Sequence, residues 1–270
     1  MTSPRGSADR DSTTRFSDRV DNYVRYRPGY PDGVLDILRD EAGLTPASVI
    51  ADIGSGTGIS SALFLRNGNT VFGVEPNAEM RHAAEEMLAR EPGEYARFRS
   101  IDGTAESTTL EAHSVDHVVA GQAFHWFDRE RARAEFARIL RPDGWLVLLW
   151  NSRRLDSTPF LRAYESLLER FGTDYRAVRH TNIDPEALRP MFAGGQFTRR
   201  VLYNEQRFDF DGVRGRLLSS SYTPTPTEPT YEPMLRELER VFAEHAEDGT
   251  IRFEYDTEVY FGRIVAGASR

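Results

Sequence analysis

Cysteine and lysine are both missing from these 270 residues. Without cysteine there are no disulfide scaffolds, thiolate zinc sites, iron–sulfur clusters or thiol nucleophiles. Without lysine all 34 basic residues are arginine, which excludes Schiff-base chemistry, pyridoxal phosphate anchoring and the phosphate-loop lysine. Any catalysis must use oxygen, imidazole or guanidinium groups. Long apolar runs are scarce as well: Trp145 to Trp150 is the longest, far short of the ~18 residues of a membrane helix. The opening MTSPRGSADRDSTTR has no apolar stretch for a secretory signal, so the expected location is cytoplasmic, with no membrane partner. A net charge of −8 argues against nucleic acid as the main partner.

What is present is a chain of ordinary globular composition, 39% hydrophobic and 28% charged, long enough for one domain with an elaborated cap. The expected organisation is a disordered tail over 1–15 and a single domain over 16–270. Within it, 16–47 form a lead segment and a helix, 48–151 a regular core, and 152–270 cap helices and C-terminal strands. The lead segment FSDRVDNYVRYRPGYP (16–31) carries four aromatics and two prolines, the composition of a lid laid over something. Pro31 then opens an amphipathic helix.

From Ser48 short apolar strands alternate with helices. Strands are expected over 48–53, 70–74, 97–101, 115–120 and 145–150, and helices over 59–66, 77–90 and 129–140, with Arg141 to Gly144 as a turn. This alternation predicts βαβ units and a parallel sheet covered on both faces. After Asn151 the alternation stops. Helices are expected over 158–171, at 184–192 with Asp184 as cap, from Asp211, and over 233–245. Strands are expected over 197–208 and 253–265.

The strongest local signal is Ala51-Asp52-Ile53-Gly54-Ser55-Gly56-Thr57-Gly58, between the first strand and the first helix. Glycines there let backbone approach a ligand, and the helix N-terminus offers unpaired N–H groups. A dinucleotide site wants GxGxxG or GxGxxA, but the third small position is Ile59. The second signal is Glu75, about twenty residues on at the second strand tip, where a carboxylate can accept both ribose hydroxyls.

DxGxGxG (52–58), the acid in VEPN (74–77), GTAE (103–106), QAFHWFD (122–128), LRPDG (140–144) and the leading YRPGYP (26–31) resemble the small-molecule branch of the class I S-adenosylmethionine-dependent methyltransferases, the methyltransferase type 11 group. The HWFD stretch is similar to that of trans-aconitate-methyltransferase-like members. The resemblance implies an α/β, Rossmann-like sheet, mostly parallel, of seven strands with an antiparallel last strand, plus helical cap elements. It implies S-adenosylmethionine as cofactor, S-adenosylhomocysteine as product and a small-molecule methyl acceptor.

Carried onto this chain, the resemblance assigns cofactor contacts to Tyr23, Arg27, Asp52, Gly54, Gly56, Gly58, Glu75, Thr104, Ala105 and Gln122. At Thr104 the family often has Asp, which shifts the expected adenine contact to the Ala105 backbone N–H. Substrate contacts are expected from Tyr26, Trp126, Asn151 and Tyr222, with Arg153 and Arg154 near the mouth. His125 is the candidate base, its ordinary pKa of about 6.5 suiting proton removal near neutrality, or else it orients the acceptor. The six histidines show no metal-ligand spacing. Two other functions stay open at this level: a non-catalytic cofactor- or metabolite-binding protein of this fold, and a dinucleotide-dependent oxidoreductase.

Overall fold

A computed structural model describes residues 25–90, 92–173, 175, 185–220 and 222–264. The expected tail over 1–15 and the first part of the lead segment, including Tyr23, lie outside the described residues, as do Asp184 and Val265.

Seven strands form one sheet: β1 (Val49–Ile53), β2 (Thr70–Val74), β3 (Phe98–Ile101), β4 (Val115–Gly121), β5 (Leu140–Arg153), β6 (Thr198–Phe208) and β7 (Ile251–Gly262). Their order across the sheet is β3-β2-β1-β4-β5-β7-β6. β1 to β5 are mutually parallel, and β7 runs antiparallel to both β5 and β6. The last strand is therefore the one reversed strand, slotted between β5 and β6.

Both faces of the central strands are covered, and the side-chain period of two sorts them. Val118, Ala120, Leu146, Leu148 and Trp150 enter one buried cluster. Their neighbours Val119, Val147 and Leu149 enter the other, with Leu38 from helix α1 (Gly33–Ala42) and Phe64 from α2 (Ile59–Arg66). The first face is closed by α5 (Arg129–Ile139) through Ala132, Phe136 and Ile139. Helix α3 (Ala78–Leu88) is capped by Asn77, which accepts from the Glu79 and Met80 amides, and a short helix α4 (Pro92–Tyr95) precedes β3.

A third cluster is the core of the cap. It joins α6 (Pro159–Phe171), α8 (Phe210–Leu218) and α9 (Tyr231–His245) to Ile251, Phe253 and Tyr255 at the start of β7. Helices α8 and α9 lie in sequence between β6 and β7, so the hairpin partners are separated by the cap that covers their far end. A one-turn helix α7 (Pro185–Leu188) leads into 3₁₀ turns, ended by the Pro190 and Gly194-Gly195 region.

The alternation of strands and helices up to Asn151 matches the sequence expectation, with three corrections nearby. Arg141 to Gly144 is not a free turn before β5, because Val115 pairs with Leu140 and His117 with Trp145, which makes it a bulged insertion within the strand. Helix α8 is capped by Asp209, whose carboxylate accepts from the Gly212 amide, rather than begun by Asp211. Helix α9 starts at Tyr231 and holds Pro233 in its first turn, where proline's missing N–H costs nothing.

Candidate active site

The glycine loop follows β1 directly. Gly54 has φ +65°, and a Cβ there would stand 2.6 Å from the Ala123 Cβ. Only glycine allows the loop this close to the turn after β4. Gly56 and Gly58 also lie in the left-handed region. The Gly54 amide donates to the Val74 carbonyl at 2.8 Å and the Gly58 amide to Ser55 at 2.9 Å, which ties the loop to the tip of β2.

Two acids flank this loop. Glu75 lies just past β2, where its Oε2 accepts the Gly56 amide at 3.1 Å and its Oε1 the Asn77 amide at 2.9 Å. Burial raises its pKa, against those two hydrogen bonds. Asp52 is fully buried under the loop. Its Oδ2 accepts from Ser60 and Ser61 Oγ, each at 2.7 Å, and its Oδ1 has no hydrogen-bond partner. Burial pushes the Asp52 carboxyl up to about 6. Thr57 adds a buried hydroxyl without a partner, a group with no local sequence signal.

Arg81 carries no local sequence signal either. Its Nη1 donates to the Glu75 carbonyl at 2.7 Å and to Asp102 Oδ1 at 3.1 Å, joining the tips of β2 and β3. Beyond β3, Thr104 and Ser107 exchange backbone hydrogen bonds of 3.1 and 3.2 Å, a tight turn that exposes the Thr104 side chain and buries Ala105. Glu106 accepts the Asp128 amide at 2.9 Å, bringing this turn against the start of α5.

β4 ends in a strained step. Gln122 has φ +57°, uncommon for a residue with a side chain. Its amide N–H donates to the Leu149 carbonyl at 2.9 Å and its Nε2 to the Asn151 carbonyl at 3.1 Å, binding the β4 and β5 tips together. Phe124–Trp126 then form a 3₁₀ turn. Phe124 is buried against Trp150, while His125 and Trp126 are exposed with ring centroids 4.8 Å apart. His113 and His117 each turn a ring nitrogen to a backbone carbonyl, of Leu140 and Ala42. Among the described residues no three His, Asp or Glu side chains group as metal ligands, and no helix is long and apolar enough to cross a membrane.

The described end of the lead segment crosses these strand tips. The Tyr26 ring lies on the backbone of Gly215 in α8, where a Cβ would stand 2.0 Å from its Cε2. Arg27 Nη2 donates to the Ser219 carbonyl at 3.0 Å. The Pro28 and Gly29 carbonyls accept from Asn151 Nδ2 at 3.3 and 3.1 Å, and Gly29 accepts from Asn204 Nδ2 at 2.8 Å. Tyr30 is buried with its hydroxyl over Gly121.

The structure thus gathers Asp52, the glycines, Glu75, Gln122, His125 and Trp126 around the C-terminal ends of β1, β2 and β4, whereas the Tyr26 ring and the Arg27 guanidinium, both expected at the site, are engaged with Gly215 of α8 and with the Ser219 carbonyl. Tyr222 lies away from these strand ends, in the cap, with its ring packed on Tyr175 at 4.9 Å. The Asn151 amide, expected to touch substrate, is taken by the Pro28 and Gly29 carbonyls, by Thr257 Oγ1 at 2.5 Å and by Asn204 at 3.2 Å. Of the arginine pair expected at the mouth, Arg154 is bound to Asp256 at 2.7 Å beside an open cleft lined by Asp156, Arg162 and Ser166. Arg153 points into the cap.

Residues 51–148 match a family model described as a methyltransferase domain. An uncharacterized methyltransferase of Mycobacterium tuberculosis strain H37Rv is 38% identical over 144 residues, covering 53% of this chain and 55% of the relative. An uncharacterized methyltransferase-like protein of Schizosaccharomyces pombe is 32% identical over 163 residues, covering 59% of each. The match therefore spans little more than half the length of these curated relatives. Among solved structures, a presumed type II methyltransferase from Anaeromyxobacter dehalogenans is 22% identical with a TM-score of 0.61, covering 89% of this chain and 99% of that one. A presumed methyltransferase from Bacillus halodurans is 17% identical with a TM-score of 0.52, covering 87% of this chain and 100% of that one.

Proposed function

Since residues 51–148 carry a methyltransferase domain and the whole sheet has the class I methyltransferase fold, we propose that the chain transfers a methyl group from S-adenosylmethionine to an oxygen or nitrogen nucleophile of a small molecule. The observation that carries this reading is the pairing of Glu75 with the Gly56 amide across the glycine loop. It fixes a carboxylate and a left-handed loop at one strand edge, as a nucleoside with an amino-acid tail requires.

The residues present fit that cofactor. Each Glu75 oxygen accepts one amide and keeps a second lone pair for a ribose hydroxyl. The Ala105 amide, which bonds no described residue, supports the adenine edge. Asp52 is sealed beneath the loop and would support it from below rather than touch the ligand. S-adenosylmethionine supplies an electrophilic methyl that needs no metal and no covalent intermediate. The chain's own task is positioning, which can supply about 7 to 11 kcal/mol of a barrier. Trp126 presents an exposed aromatic face that favours a nearby cation by ~0.5 to 2 kcal/mol, and His125 either accepts the nucleophile's proton or orients the acceptor. The strap from Arg25 to Tyr30 roofs the crevice and excludes water.

Calorimetric titration tests the cofactor. Binding of S-adenosylmethionine and S-adenosylhomocysteine, with none of NAD or NADP, is the expected result, and preference for a dinucleotide overturns it. A mass-shift screen of a metabolite extract for added methyl groups then separates transfer from mere binding.

A further inference from the structure

The cap buries charge that the cofactor does not require. Arg216, on the inner face of α8, is only 6% exposed. Its Nε donates to Tyr255 Oη at 3.3 Å and its Nη1 to Ser220 Oγ at 3.4 Å, both long. Among the described residues no carboxylate stands within ion-pair distance of it. A guanidinium taken out of water without a counter-charge is costly to a fold, and such groups persist where something charged meets them.

A second guanidinium shares this interior. Arg153 Nη2 pairs with Glu165 and donates to Tyr175 Oη at 3.1 Å. Its Nη1 is buried with no acceptor, and the group lies 5.1 Å over the Tyr164 ring. Tyr164 is 1% exposed, and its hydroxyl has no hydrogen-bond partner. It feels both guanidiniums, and burial pushes its phenol above the ordinary range, so it stays an O–H donor. Among the described residues this set holds two cations and one carboxylate, with one N–H and one O–H that bond nothing, so its charge is short of one anion.

The position ties this set to the proposed transfer site. Arg153 follows Asn151 by two residues on the same face of β5, roughly 7 Å along the strand, and the Asn151 carbonyl accepts from Gln122 in the turn that carries His125. Resting on the methyltransferase reading above, we propose that Arg216, Arg153 and Tyr164 receive an oxyanion of the methyl acceptor, a carboxylate or a phosphate, while its nucleophile lies toward His125. The acceptor is then a bifunctional molecule, anionic at one end and methylated at the other.

The test uses the full chain with saturating S-adenosylhomocysteine and three probes at constant ionic strength: succinate, phenyl phosphate and neutral succinamide. Succinate or phenyl phosphate should raise the melting midpoint of the wild type, and succinamide should not; which of the two acts identifies the oxyanion. Tyr164→Phe removes only an unbonded hydroxyl, so it should fold and bind S-adenosylhomocysteine normally yet lose about tenfold or more in affinity for the active anion. Arg216→Gln should abolish the response. No response of the wild type to either anion, or undiminished binding by Tyr164→Phe, overturns the proposal. Anion binding that depends on Tyr164 in a chain that ignores S-adenosylhomocysteine would instead overturn the methyltransferase reading and leave this site standing.

Discussion

The side-chain amide of Asn151, at the tip of β5, donates to the Gly29 carbonyl at 3.1 Å and so fastens the lead segment to the sheet. The same amide reaches Pro28, while its oxygen is held by Thr257 and Asn204. Asn151→Asp keeps the oxygen that Thr257 needs but cannot donate to the strap. It should cost about 1 to 3 kcal/mol and raise hydrogen exchange in the peptide covering residues 25–30. Unchanged exchange there would mean that the strap is held elsewhere.

Gly215 and Tyr26 make a second fastening, by contact alone. Glycine to alanine inside a helix ordinarily gains about 0.5 to 1 kcal/mol. Here the new methyl would occupy the place of the Tyr26 ring, so Gly215→Ala should lower the midpoint and the turnover together. In a Tyr26→Ala background the same change should regain its usual stabilising sign. The four midpoints form a double-mutant cycle, and a stabilising Gly215→Ala in the wild type would show that the ring does not seat on α8.

These fastenings mark where the sequence stopped being readable. The glycine loop, Glu75 and the βαβ order were legible because each is a local pattern: three glycines between a strand and a helix, and one acid at the next strand tip. Asn151 stands just past the expected fifth strand, yet its partners lie 53 to 123 residues away in sequence, and nothing local shows that Pro28 and Gly29 will claim its amide. Thr57 and Arg81 carried no signal, because a hydroxyl inside a glycine loop and an arginine on a helix are common. The bulge at Arg141 to Gly144 looks like a turn in sequence and becomes strand only through pairing with β4.

Glu75 carries the most local prediction. Glu75→Ala removes two charge-assisted hydrogen bonds to the Gly56 and Asn77 amides as well as the proposed ribose contact. Affinity for S-adenosylhomocysteine should fall by about 1.5 to 3 kcal/mol, read by calorimetry. Unchanged affinity would remove Glu75 from the cofactor site.

His125 sits on an exposed 3₁₀ turn beside Trp126, where it can meet an acceptor without burial. If it is the base, His125→Gln should lose ~10² or more in turnover together with the acidic limb of the pH–rate profile. A variant that keeps that limb and most of its rate leaves His125 an orienting role, with positioning carrying the catalysis.

Asp52 sets a pH dependence of stability whose sign can be worked out. Burial raises its carboxyl from 3.8 to about 6, against the Ser61 and Ser60 hydroxyls that hold its charged form. Between those two values the folded chain keeps a proton that the unfolded chain has released. The Asp52 contribution is therefore fully present below about 3.8 and is lost as pH rises through about 6. A shift of about 2 units is worth about 3 kcal/mol. Asparagine accepts both serine hydroxyls through its oxygen and cannot ionise. The stability of the wild type relative to Asp52→Asn should therefore fall by about 2 kcal/mol between pH 4 and 6, with the remainder of the change lying on either side of that window, measured by urea unfolding of the two proteins side by side. Glu75 is raised mainly by burial and in smaller part by the Asp52 charge, so its burial slope is common to both proteins and the difference reports Asp52 together with its coupling to Glu75. A difference independent of pH would mean that the Asp52 carboxyl titrates as it does in water, and that the loop does not seal it.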